Sequence, residues 1–315
     1  MSGHSNRLAL YLKARRAQLK PEDVGFPSDP GRRLTGLRRT EVAELAGISP
    51  EYYTRIEQGR SYQLSEQVLA GLSRALRLDG DAAAYFYRLA LPGPPAPEPL
   101  PSPVISETVL RLVDQWSDVP VFVYDRNQDI LMSNDLAREL FPHIEPGSNS
   151  VMTAFEMPVA LRETEPWQRL ARSAVAGLRF YGDPADPRLQ QIVGDLSIHE
   201  PLFRTFWADH EAAPLTSGVV PNDVDGFGIV EFPWQNLQVL GGLMLSVWPA
   251  RPGTDAFAVL ELLRARLRRQ AQAASATRPA LPAPPTGLAP RAFARRDLES
   301  VRLAIEPVQS DDPGL

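Results

Sequence analysis

Hydrophobic residues between positions 37 and 78 recur at helical spacing in three short runs, and the connections between the runs are tight. The first run ends at Gly47, because glycine commonly follows the last turn of a helix. The second begins at Ser49, where a capping serine precedes a proline and an acid, and it places Tyr53 and Ile56 on its inner face. Two short helices joined by a glycine-containing turn predict a helix-turn-helix.

The outer face of the second helix carries side chains that suit base recognition. Glu51 and Arg55 are four residues apart, so they share a face. Arg55 can donate paired hydrogen bonds to guanine, and Glu51 can accept one from cytosine N4. Arginines at the start of the preceding helix suit phosphate, because charge and free backbone N–H groups meet there. The alternative is a solvated Glu51–Arg55 pair on an ordinary helical bundle. The predicted DNA-binding residues are Arg38, Arg39, Thr40, Ser49, Glu51, Tyr52, Thr54, Arg55 and Arg60.

Two flanking helices complete an all-α unit. Apolar residues at helical spacing around Tyr11 predict a helix that precedes the helix-turn-helix, with Arg16 among the charged residues on its outer face. A last helix is predicted over residues 82–91. Residues 21–36 form a loop rich in proline and glycine. Its Arg32 could reach the DNA backbone or the minor groove; the alternative is a mobile surface loop.

The chain changes character after residue 91. Proline is dense over residues 92–103, which predicts a linker of polyproline II type. Beyond it the pattern predicts a helix, a strand hairpin, several helices and a return to strands, with Gly241-Gly242 as a bulge inside the last strand. This order predicts an α+β domain over residues 104–270, in which an antiparallel sheet carries helices on one side. Residues 271–315 are predicted to be mostly disordered.

The first ninety residues resemble a known family of regulators. The resemblance is to phage-repressor-like (XRE-type) helix-turn-helix proteins with an MmyB-like ligand-binding domain, and it is carried by GLRRTEVAELAGISPEYYTRIEQGR and SEQVLAGLSRALRLDGDAAAYFYRLA. It implies double-stranded DNA as a partner. The fold class we predict is therefore an all-α helix-turn-helix DNA-binding domain over residues 1–91, followed by an α+β PAS-like domain with an antiparallel sheet.

The second half resembles the ligand-binding domain of the same regulators. The similar segments are PVFVYDRNQDILMSNDLARELF, FRTFWADHEAAPLTSG and GGLMLSVWPARPGTDA. The resemblance implies a PAS-like fold that holds a small apolar molecule, with a fatty acid as the suggested class. The chain departs from the family at Ser133-Asn134, where a Trp-Asn pair is common, and over residues 219–226, where relatives tend to carry a basic residue and a histidine. The ligand's head group could differ accordingly, or the ligand be absent.

Aromatic residues dominate the second half, since all five tryptophans lie after residue 115. Apolar pockets are lined mainly by aromatic and aliphatic groups. For any single one of these side chains, packing in the core is the stronger alternative. The predicted ligand-binding residues are Phe122, Tyr124, Phe203, Phe206, Trp207, His210 and Trp248.

Charge and composition narrow the function further. The net charge of the 315 residues is −5, but residues 1–90 hold 14 Lys and Arg against 10 Asp and Glu, while the remainder holds 19 against 28. A basic N-terminal part followed by an acidic remainder is expected when only the N-terminal part contacts DNA phosphates. The chain has no cysteine, and its histidines show no metal-ligand spacing, so we predict no metal site. No apolar run reaches the roughly 18 residues of a membrane span.

These observations predict a sequence-specific DNA-binding transcriptional regulator that acts as a homodimer in the bacterial cytoplasm, at the nucleoid. Its second domain is predicted to sense a small apolar, fatty-acid-like effector. The main alternative is a second domain that serves dimerisation or protein interaction without a ligand. An enzyme with a DNA-binding head is a weaker alternative, because no catalytic constellation stands out, and we predict no enzymatic activity.

Overall fold

The structure is a computed structural model, and it describes residues 2–27, 32, 34–60, 64–91, 105–239 and 241–277. The predicted linker over residues 92–103 and the predicted tail from residue 278 onward lie outside the described residues. The helices of the first part are α1 (Ser2–Gln18), α2 (Arg39–Ala46), α3 (Pro50–Glu57), α4 (Glu66–Ala75) and α5 (Gly80–Ala90), with a short 3-10 helix, Pro21–Val24, after α1.

The helix ends of the first part follow their sequence signals. Gly47 adopts the left-handed conformation, φ 69°, directly after α2. The Ser49 hydroxyl accepts a hydrogen bond from the Tyr52 backbone N–H at 3.1 Å and so caps α3. Tyr53 and Ile56 are buried in a core shared by all five helices. The all-α helix-turn-helix prediction is confirmed.

One close approach fixes how α4 crosses the helix-turn-helix. A Cβ atom on Gly71 of α4 would lie 2.5 Å from the carbonyl oxygen of Ala46, at the end of α2. Any side chain at position 71 therefore has to push the two backbones apart. The glycine lets α4 pack directly against the turn between α2 and α3.

The second part combines a sheet with two groups of helices. Its strands are β1 (Val121–Tyr124), β2 (Ile130–Ser133), β3 (Ser217–Val224), β4 (Gly228–Val239) and β5 (Leu243–Val247). Its helices are α6 (Glu107–Gln115), α7 (Asp135–Leu140), α8 (Ser150–Glu156), α9 (Val159–Arg162), α10 (Glu165–Tyr181), α11 (Pro187–His199), α12 (Pro201–Ala208) and α13 (Asp255–Thr277).

In the described part of the chain these strands form one antiparallel sheet in the order β2-β1-β5-β4-β3. The hydrophobic pattern did not predict β3 as a strand. Pro221 lies in its middle, opposite Glu231, and proline argues against a strand in the sequence. The structure places β3 at the edge of the sheet, where a missing N–H is tolerated. The α+β prediction is confirmed, with this strand added.

Helices cover both faces of the sheet, so the prediction of helices on one side is wrong. Val109 and Val113 of α6 pack against Val121, Val123 and Leu245 on one face. The opposite face packs against α7 and α13. Successive strand residues point to opposite faces, and both sets of alternating positions in β1 are apolar, so this strand is buried on both sides.

Some boundaries differ from the predicted ones. The sequence pattern predicts one helix over residues 160–176, but the structure divides it, because Thr164 caps a new helix and a proline follows within its first turn. Gly241 and Gly242, predicted as a bulge, have φ of 87° and 80° and lie in the turn between β4 and β5. The sequence pattern predicts a last helix over residues 255–269, and α13 continues past that end to Thr277.

Candidate DNA-binding surface and ligand cavity

The outer face of α3 is the candidate DNA-reading surface. Glu51 and Arg55 are exposed on it, while Tyr53 and Ile56 are buried on the opposite side. Within the described residues, neither Glu51 nor Arg55 has an ion-pair partner, so the predicted alternative of a Glu51–Arg55 pair is not formed. Both side chains are accessible to a base edge. Thr54 is held differently, since its hydroxyl donates to the Pro50 carbonyl oxygen at 2.8 Å.

The other predicted DNA-binding residues lie at the helix starts and the helix exit. Arg38 caps α2, and its backbone N–H donates to a Glu41 carboxylate oxygen at 2.6 Å. Arg39 and Thr40 open α2 and are exposed, as is Arg60 beyond the end of α3. Tyr52 is half-buried, and Ser49 is used as the cap of α3. The structure therefore brings the predicted residues together around one helix and its neighbour.

A buried carboxylate that was not predicted orients this surface. Glu57, at the end of α3, has a side chain that is 1% exposed, and it accepts hydrogen bonds from Arg16 of α1 at 2.7 Å and from Arg39 of α2. Arg16 also donates to the Leu37 carbonyl oxygen at 2.6 Å. The prediction that Arg16 lies on the outside is wrong. Arg16 and Arg39 both pair with Glu57, and these contacts connect α1, α2 and α3.

Arg32 has a structural role in the loop before α2. Its guanidinium donates to both oxygens of Glu41, at 2.6 and 2.7 Å, and to the Gly36 carbonyl oxygen at 2.6 Å. The Arg32 side chain is 8% exposed. Hydrogen bonding to Arg32 lowers the pKa of Glu41. This arginine therefore packs within the domain instead of extending towards DNA.

The candidate ligand site is a cavity of about 820 Å³ in the second part of the chain. One wall is the sheet face that carries Phe122, Tyr124, Trp234 and Trp248. The facing wall is formed by residues of α8, α9 and α10, among them Leu170. The volume falls within the range of small-molecule sites, roughly 300–1,000 Å³.

The structure divides the predicted ligand-binding residues into two groups. Phe122, Tyr124 and Trp248 line the cavity. Phe122 lies against Trp248 with ring centroids 5.6 Å apart, in an edge-to-face arrangement. Burial raises the pKa of Tyr124. The remaining four residues do not line the cavity.

Three of those four pack in a separate cluster of helices. Phe203 is fully buried against Phe155, and its ring stacks on that of Trp207 with centroids 5.7 Å apart. Phe206 lies beneath the guanidinium of Arg172, 4.7 Å from its ring centroid. Their spacing of three to four residues on α12 serves this packing, which is the alternative that the sequence favoured for each of them.

His210, the fourth, follows α12 and contacts α10. It has a left-handed backbone, φ 53°, and its Nδ1 lies 3.3 Å from Arg179 Nη1. Burial, with a smaller contribution from the Arg179 charge, lowers the pKa of His210 to about 4. Arg179 also donates to the Trp207 carbonyl oxygen and lies 3.8 Å above the Trp207 ring.

α10 contacts both the cavity and the helix-turn-helix part. Leu170 and Ala174 line the cavity. At the other end of the helix, Arg88 of α5 lies 4.3 Å above the ring of Phe180 and donates to the Phe180 carbonyl oxygen at 2.5 Å. Ala212 joins the core of the first part.

Several cavity residues were missed because the hydrophobic pattern predicted neither β3 nor the middle of β4 as strand. Val220, Asn222 and Val224 alternate along β3, and Trp234 and Asn236 alternate along β4, all facing the cavity. Period-two alternation is the signal that could have found them. Gly218 has no side chain, and this leaves room for the Trp234 ring. A Cβ atom at position 218 would lie 2.6 Å from that ring.

The described residues contain no group of three or more His, Asp or Glu side chains that could hold a metal ion. No helix among them is both long enough and apolar enough to cross a membrane.

Two known family models match this chain. A model described as "MmyB-like transcription regulator ligand binding domain" matches residues 105–263. A model described as "Helix-turn-helix domain" matches residues 7–86. A comparison with curated proteins finds no significant match.

Proposed function

Because this chain belongs to the MmyB-like transcription regulators, we propose that it reads a specific DNA sequence with α3 and senses a small apolar molecule in the cavity of its second domain. The architecture is that of a DNA-binding transcription regulator with a ligand-binding domain. Exposed Glu51 and Arg55 on α3 support the DNA-reading part of this proposal, and a cavity of about 820 Å³ in the second domain supports the sensing part.

The DNA-binding part of the proposal assigns distinct roles to two arginines. Arg55 reads a base edge from the major groove, since it lies on the exposed face of the second helix of the helix-turn-helix. Arg60 contacts phosphate just beyond that helix. Arg39 is a poorer probe of phosphate contact, because its removal also leaves one oxygen of the buried Glu57 without its partner.

Sequence selection from a random duplex library, followed by anisotropy titrations over a range of salt, tests these roles. Arg55→Ala should cost about 1–3 kcal/mol of discrimination at one base position. Arg60→Ala should weaken binding to all duplexes alike and reduce the salt slope by about one. Arg111→Ala, which removes the same charge from an exposed site on α6, is the control. Unchanged preference and salt slope in both variants would refute the docking.

The ligand part of the proposal is an effector with a long apolar body, fatty-acid-like in this respect. The cavity supports it over the alternative of an interaction module without a ligand, which predicts a filled sheet face. A PAS-like description of this domain is part of the same proposal, and the single antiparallel sheet with an aromatic face supports it. Native mass spectrometry of the purified protein should detect a bound apolar molecule, or added amphiphiles should raise its melting temperature.

The effector would act through α10, which contacts the cavity with Leu170 and the DNA-binding part with Phe180. A ligand changes DNA affinity only if it binds two arrangements of the protein differently. A helix with one end at each site is a physical element through which such a difference can act.

We also propose a homodimer, because helix-turn-helix proteins commonly bind two half-sites about one helical turn apart. The second domain would supply the contact, since the sequence over residues 92–103 is dense in proline and predicts a stiff linker. Sedimentation velocity with and without a selected duplex tests this assembly. A monomer both free and bound to DNA would refute it.

A further inference from the structure

The cavity is apolar over most of its wall, so the body of its occupant must be apolar too. Phe122, Phe141, Met157, Leu161, Leu170 and Trp234 are among the residues that line it. Burying apolar ligand surface against these side chains is favourable in proportion to the area removed from water. The chemistry of the ligand's polar end has to be read from the remaining residues.

The charged groups around the cavity are almost all of one sign. Among the described residues that line it there is no lysine or arginine, whereas Glu139, Glu156, Asp223 and Asp225 carry carboxylates. Glu139 lies 3.4 Å from Arg266. For the other three, which are exposed at the edge, the described part of the chain provides no ion-pair partner. His143 is the other titratable side chain of the lining that is exposed.

The deeper polar groups of the lining are uncharged. Tyr124, Trp234 and Asn236 each keep a buried polar atom (Oη, Nε1 and Oδ1) for which the described residues provide no hydrogen-bond partner. A hydroxyl can donate and accept, an indole N–H can donate and an amide oxygen can accept. An uncharged ligand group with a donor and an acceptor complements this set.

An anionic head meets no lysine or arginine in the described lining of this cavity. Deep in the cavity a carboxylate would lose its hydration without meeting a cationic side chain, which is strongly unfavourable. At the edge it would face carboxylates of the same sign. An uncharged head avoids both costs, and a cationic head at the edge is attracted to Glu156, Asp223 and Asp225.

We infer that the effector is an amphiphile with an apolar body and an uncharged or cationic hydrogen-bonding head, and that ionised fatty acids are discriminated against. The inference rests on the proposed function, because it assumes that the cavity of the second domain is the effector site. It specifies the ligand class by the charge of the head group.

Three probes that share one chain length separate the possibilities: decan-1-ol, decylamine and decanoic acid. Their dissociation constants are measured with the full chain by calorimetry at neutral pH, below the concentration at which they aggregate. The alcohol and the amine should bind at least about tenfold more tightly than the acid. If the acid binds as tightly as either or more tightly, the inference is overturned while a ligand-binding cavity stands. If none of the three binds, the proposed sensing function fails together with the inference.

A double substitution at the edge tests the origin of the selectivity. Asp223→Asn with Asp225→Asn removes two carboxylates, so affinity for the amine should fall and affinity for the acid should rise, with the alcohol unchanged. Asp114→Asn, on α6 at the opposite face of the sheet, is the matched control and should leave all three affinities unchanged. An unaltered ratio of amine to acid binding in the double variant would contradict the assigned role of the edge.

Discussion

The two parts of this chain use their interiors in opposite ways. In the helix-turn-helix part, Tyr11, Tyr53 and Phe86 are buried in one core, and α4 approaches α2 so closely that only a glycine fits at position 71. In the second part, the sheet face that carries Phe122, Tyr124, Trp234 and Trp248 lines a cavity of about 820 Å³. The first interior holds a surface in position, whereas the second provides the proposed binding site itself.

The two parts also differ in how they treat carboxylates. Glu57 is buried and is matched by Arg16 and Arg39. The carboxylates at the edge of the cavity, such as Asp223 and Asp225, stand without an arginine or lysine in the described lining. A matched buried charge maintains one geometry. Unmatched charges beside a cavity favour some ligands over others.

The largest expected effect comes from removing the buried carboxylate. Glu57→Ala leaves Arg16, 12% exposed, without its ion-pair partner, so the first part should lose about 3–5 kcal/mol of its unfolding free energy. All five tryptophans lie in the second part, so tryptophan fluorescence reports on that part alone, while circular dichroism reports on the helices of both. Urea titrations should show an earlier transition by circular dichroism and a nearly unchanged midpoint by fluorescence.

Glu51→Gln is the control for this variant, because it alters an exposed carboxylate on the same helix. Its effect should stay within about 0.5 kcal/mol. Equal shifts of the dichroism and fluorescence midpoints in Glu57→Ala would mean that the two parts unfold as one unit, so that Glu57 stabilises both.

A smaller loss is expected from filling the closest approach between helices. Gly71→Ala places a Cβ 2.5 Å from the Ala46 carbonyl oxygen, a backbone atom that can move only with its helix. Overpacking of this kind costs about 1–3 kcal/mol. Gly80→Ala, where a Cβ meets nothing within 4 Å, is the matched control and should be neutral or stabilising. If both variants unfold at the same urea concentration, the packing of α4 against α2 is looser than described.

The same contrast explains what could be read from the sequence. The helices of the first part carry their signals locally: Ser49 and Gly47 stand within a few residues of the backbone groups they satisfy. Exposed Arg55 and buried Ile56 follow from one helical period. The fold of this part and the composition of its surface were therefore predictable without a structure.

What escaped prediction depends on residues distant in the chain. The partners of Glu57 lie 41 and 18 residues away, and no local pattern connects them. β3 is a strand through its pairing with β4, which overrides Pro221. Phe203 and Phe122 were both predicted to bind the ligand, yet the first packs among helices and the second lines the cavity.

A pH-dependent effect of about 1 kcal/mol is expected from His210. Its pKa in the folded chain is about 4, below the 6.5 of an ordinary histidine. Between these values the unfolded chain binds a proton that the folded chain does not, so stability falls as the pH falls through this window. The full pKa shift would correspond to a larger change in unfolding free energy, but the His210 side chain is partly exposed and solvent screens the effect.

His210→Asn should flatten this part of the stability profile, measured by urea titrations between about pH 5 and 7. Asparagine tolerates the left-handed backbone at this position and does not titrate. His199→Asn, which removes an exposed histidine from the end of α11, serves as the comparison and should retain the dependence. If the slope survives in His210→Asn, another group is responsible.

The smallest effect should appear in the coupling between the two parts. Arg88→Ala removes a hydrogen bond to the Phe180 carbonyl oxygen and a cation–π contact with the Phe180 ring, an interaction worth roughly 0.5–1 kcal/mol. The test measures four affinities for DNA: those of the wild-type protein and of Arg88→Ala, each with and without decan-1-ol. Because a coupling free energy is shared by the two binding events, the change that decan-1-ol causes in DNA affinity should shrink by about two- to fivefold in the variant.

Arg172→Ala is the matched control, since Arg172 makes the same kind of contact with Phe206 inside the second part. It should leave the coupling intact. If Arg172→Ala weakens the coupling and Arg88→Ala does not, the proposed route through the end of α10 is wrong. The coupling between the ligand cavity and the DNA-binding part would then depend on other contacts. Gln18, which donates to the Asp209 carbonyl oxygen at 2.7 Å, would then be the next position to test.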